Sequence, residues 1–61
     1  MSPEAGSAAA QLWRQYGEDA VVIAVLRAAE VAAMGDLEAL NHWDEVREIL
    51  TAMAAPEGPS N

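Results

Sequence analysis

Cysteine, lysine and phenylalanine are all missing from this 61-residue chain, histidine occurs once, and the aromatic side chains are Trp13, Tyr16 and Trp43. Without cysteine there is neither a disulfide framework nor a thiolate metal site. Without lysine, three arginines stand against ten Asp and Glu, for a net charge of −7. Phosphate backbones and anionic lipid surfaces repel such a chain, because affinity for nucleic acid comes largely from Lys and Arg displacing counterions. No nucleic-acid partner and no membrane are therefore expected. The opening residues lack a basic segment and include Glu4, unlike a secretory leader. The longest apolar run is shorter than the roughly 20 residues of a membrane span. A cytoplasmic protein is the expectation.

That run is also the most informative part of the chain. Residues 20–34, AVVIAVLRAAEVAAM, carry two charges, Arg27 and Glu30. A helix that is apolar on nearly every side is normally covered on every side. A domain of about this size buries only about 60% of the surface its unfolded chain exposes, and two further helices are all that the rest of the chain can supply. Completion by self-association or by a partner protein follows, a homodimer being the simplest form.

Helix punctuation divides the chain into three. Ser2 suits an N-cap and Pro3 the first helical position, but Gly6-Ser7 interrupts this opening. Residues 1–7 are therefore expected to be flexible, with the first firm helix over about 8–16. Its apolar residues Ala9, Leu12, Trp13 and Tyr16 recur at the spacing of one helical face, and Gly17 offers a left-handed terminus. The second helix is expected over 18–34. Val21, Val22, Val25, Leu26 and Ala29 fall on one broad side of it. Ile23, Arg27, Glu30, Val31 and Met34 form a mixed stripe opposite. Gly35-Asp36 pairs a helix-ending glycine with a capping aspartate. So short a link makes the second and third helices antiparallel neighbours. The third, over 36–54, repeats Ala39, Trp43, Val46, Leu50 and Met53 along one seam, widened by Leu40 and Ile49. Residues 55–61 read as a disordered tail. The expected fold is thus all-α: a small three-helix domain built on a long αα-hairpin and completed as a helical bundle by oligomerisation.

Chemistry finds few footholds. His42 has Glu38 one turn before it and Glu45 one turn after, but transition-metal sites usually take three or four protein ligands. The di-iron pattern of helical bundles places Glu three residues before His, whereas Glu38 lies four before His42. Ser2, Ser7, Thr51 and Ser60 have no recognisable base partner, and no phosphate-loop glycine pattern occurs. Neither an enzyme nor a metal or cofactor site is expected.

The residues that remain point to protein contacts. Trp13, Ile23, Arg27, Glu30, Val31 and Met34 are the expected interface, with Trp13 the aromatic anchor and Arg27–Glu30 a local ion pair. The alternative is a small acidic inhibitor or antitoxin-like protein of phage type. It would imitate nucleic acid by presenting Glu38, Asp44, Glu45 and Glu48 to a basic partner surface.

Leu12-Trp13, Gly17 with Asp19-Ala20, Ala24 and Arg27, Gly35-Asp36, and Trp43 with Val46 and Ile49 together carry a resemblance. In this layout the chain resembles a family of short uncharacterised helical proteins from alphaproteobacteria: helix, G-x-x-A, Ala-rich helix with Arg, Gly-Asp turn, W-x-x-I/V helix. The resemblance spans about residues 8–53. It implies a compact helical domain and brings no activity or site residues with it.

Overall fold

A computed structural model describes residues 2–55. These form three helices: α1 (Pro3–Tyr16), α2 (Asp19–Ala33) and α3 (Leu37–Ala54). No strand occurs among the described residues, and no helix among them is long and apolar enough to cross a membrane. The α2–α3 hairpin has the most extensive contact, and α1 leans more on α3 than on α2.

The first helix begins five residues before the expected start at Ala8. Ser2 is extended, and its hydroxyl accepts the Ala5 N–H at 3.2 Å, with Pro3 and Glu4 completing a well-formed first turn. Gly6 lies within the helix, where it costs about 1 kcal/mol relative to alanine. Two tertiary effects offset that penalty. Ala5 is fully buried, and Ser2 donates to Glu45 Oε1 from both its backbone N–H and its hydroxyl, each at 3.2 Å. Of the segment expected to be flexible, residues 2–7 are therefore docked, and Met1 lies outside the described residues. The expected tail does too, apart from Ala55.

Both glycine turns form where expected. Gly35 has φ 76°, its N–H donates to the Ala32 carbonyl, and the Asp36 N–H donates to the Val31 carbonyl, each at 3.0 Å. That pair of bonds is a Schellman motif. Asp36 then caps α3 by accepting the Ala39 N–H at 3.1 Å. Gly17 ends α1 differently, with φ 60° and ψ −135°. This lies outside the left-handed helical basin and is open essentially to glycine alone.

The core is small-grained. Ala5, Ala9, Ala20, Ala24, Ala28, Val46 and Leu50 are buried, and only Val46 and Leu50 among them are large. Leu12, Trp13, Val21, Trp43 and Ile49 pack partly around this centre. Tyr16, expected on the buried side of α1, is 48% exposed.

Candidate interaction surface

The side of α2 that packs inward is neither of the two read from the sequence: of the broad side only Val21 meets the core, and Arg27, Glu30 and Met34 of the opposite stripe are exposed. Ala20, Ala24 and Ala28 recur every four residues and are the buried positions of the helix. A ridge of such small side chains lets helix axes approach closely, and interaxial distance depends on the residues at the contact. The bulkier residues are turned outward: Val22 is 58% exposed, Val25 46% and Leu26 58%. Ala29, Ala32 and Ala33 are exposed on the same side, and Met34 and Leu37 are largely uncovered at the hairpin end.

The residues expected at the interface are consequently divided. Ile23 and Val31 are half-buried beside the alanine ridge, and Trp13 is half-buried against the core. Met34 remains free. Arg27 and Glu30 pair with each other at 3.1 Å on the surface, and with Ile23 and Leu26 they line a shallow depression. A second depression, lined by Ala8, Gln11, Leu12, Gln15 and Trp43, lies between α1 and α3. Sequence reasoning missed Val22, Val25 and Leu26 as open positions. The available signal was the four-residue alanine spacing, which marks a close-packing ridge as readily as a gap left for a partner.

The carboxylates of α3 do not act as one face. Glu38 and Glu48 are exposed. Asp44 lies 3.8 Å from Arg47, its neighbour one turn on. Glu45 is occupied by Ser2, whose backbone N–H and hydroxyl stabilise the charged form and hold this carboxyl below its ordinary value, with a smaller contribution from His42. The His42 ring meets Trp43 edge-on at 5.6 Å. Among the described residues, no three His, Cys, Asp or Glu side chains converge as a metal-binding group.

Comparison with protein-family models, with curated proteins and with solved structures finds no match.

Proposed function

We propose that this chain is a non-enzymatic helical interaction module that associates with itself, in the simplest form as a homodimer. The observation that carries this reading is the outward side of α2. Val22, Val25 and Leu26 form a row of exposed branched side chains, continued along the helix by Ala29, Ala32 and Ala33. Apolar surface removed from water stabilises an association by about 25 cal/mol per Å² before the entropic cost of binding. Contiguous apolar patches of this kind commonly mark interaction sites. A cytoplasmic setting belongs to the same reading, since nothing in a cysteine-free chain calls for an oxidising compartment.

The acidic-inhibitor reading has weaker support. Of its four carboxylates, Asp44 is paired with Arg47 and Glu45 is engaged by Ser2, leaving Glu38 and Glu48 as the two without such a contact among the described residues.

Sedimentation equilibrium over a wide concentration range tests the proposal, using the full chain and its Leu26→Glu variant. Leu26 is a better probe than Ile23 because it takes little part in the packing of one chain. The expected result is a reversible dimer for the unsubstituted chain and a monomer of unchanged helical circular dichroism for Leu26→Glu. A monomer at every concentration for the unsubstituted chain would refute self-association.

A further inference from the structure

We draw no further inference here: the strongest candidate, the exposed patch of Val22, Val25 and Leu26 on the outward side of α2, carries nothing beyond the proposal above because nothing in the structure shows what covers it.

Discussion

Glu45 shows how much one side chain of this small protein organises. It accepts two hydrogen bonds from Ser2, and Ser2 in turn caps α1 through the Ala5 N–H. The start of one helix is thereby tied to the middle of another, the partners lying 43 positions apart in the sequence. Because the two donors favour the carboxylate, the folded-state value of Glu45 lies below 4.5, its ordinary value. A carboxyl lowered on folding stabilises the protein above that ordinary value, and the contribution fades as pH falls through the lowered one. Urea unfolding of the unsubstituted chain and Glu45→Gln should therefore differ in favour of the former at neutral pH. The difference should vanish in acid well below 4.5. An equal difference at both pH values would mean that Glu45 acts by shape and not by charge. Ser2→Ala, which removes the cap, should cost about 1 kcal/mol by the usual value of such residues, measured in the same unfolding experiment.

At the scale of elements, the two sides of α2 should respond oppositely to size. Ala24 is fully buried, so Ala24→Leu forces extra volume into a close helix contact and should destabilise the fold by about 1–3 kcal/mol. Leu26→Ala, two residues away, removes as much volume as that change adds, but from an exposed position. It should change the unfolding free energy of the monomer by no more than about 0.5 kcal/mol, while weakening self-association. Chemical denaturation at low protein concentration measures the first effect and sedimentation equilibrium the second. A large loss of monomer stability from Leu26→Ala would place that side chain in the core and contradict the observed orientation of α2. The alanine ridge also explains how so short a chain closes at all. Small side chains bring the axes together, and Val46 and Leu50 of α3 are fully buried in a cluster of alanines flanked by the half-buried Leu12, Trp13 and Val21.

At the scale of the molecule, a core with two large buried side chains leaves room for the proposed self-association to add stability. If the proposed dimer forms, linkage requires the melting temperature to rise with protein concentration. The net charge of −7 on each copy opposes association, and salt screens that repulsion over roughly 10 Å at 0.1 M ionic strength. The midpoint of thermal unfolding should accordingly rise with both protein concentration and salt, as followed by circular dichroism. Docking of an acidic face on a basic partner would show the opposite salt dependence. A midpoint independent of concentration would argue against a dimer that contributes to stability.

Three helices, the glycine turn at Gly35, the Asp36 cap and the part of the α3 seam around Val46 and Leu50 are legible in the sequence, whereas Met53, expected on the same seam, is exposed. Each depends on residues within a few positions of one another, where backbone preference and helical spacing act directly. The docking of residues 2–7 is not legible, because Gly6-Ser7 speaks locally against a helix and the contact that overrides it lies on α3. Nor is the inward side of α2. With apolar residues nearly all round, its periodicity names no buried face. The choice falls to the surfaces of α1 and α3, against which the ridge of Ala20, Ala24 and Ala28 packs closely while Val22, Val25 and Leu26 remain outside.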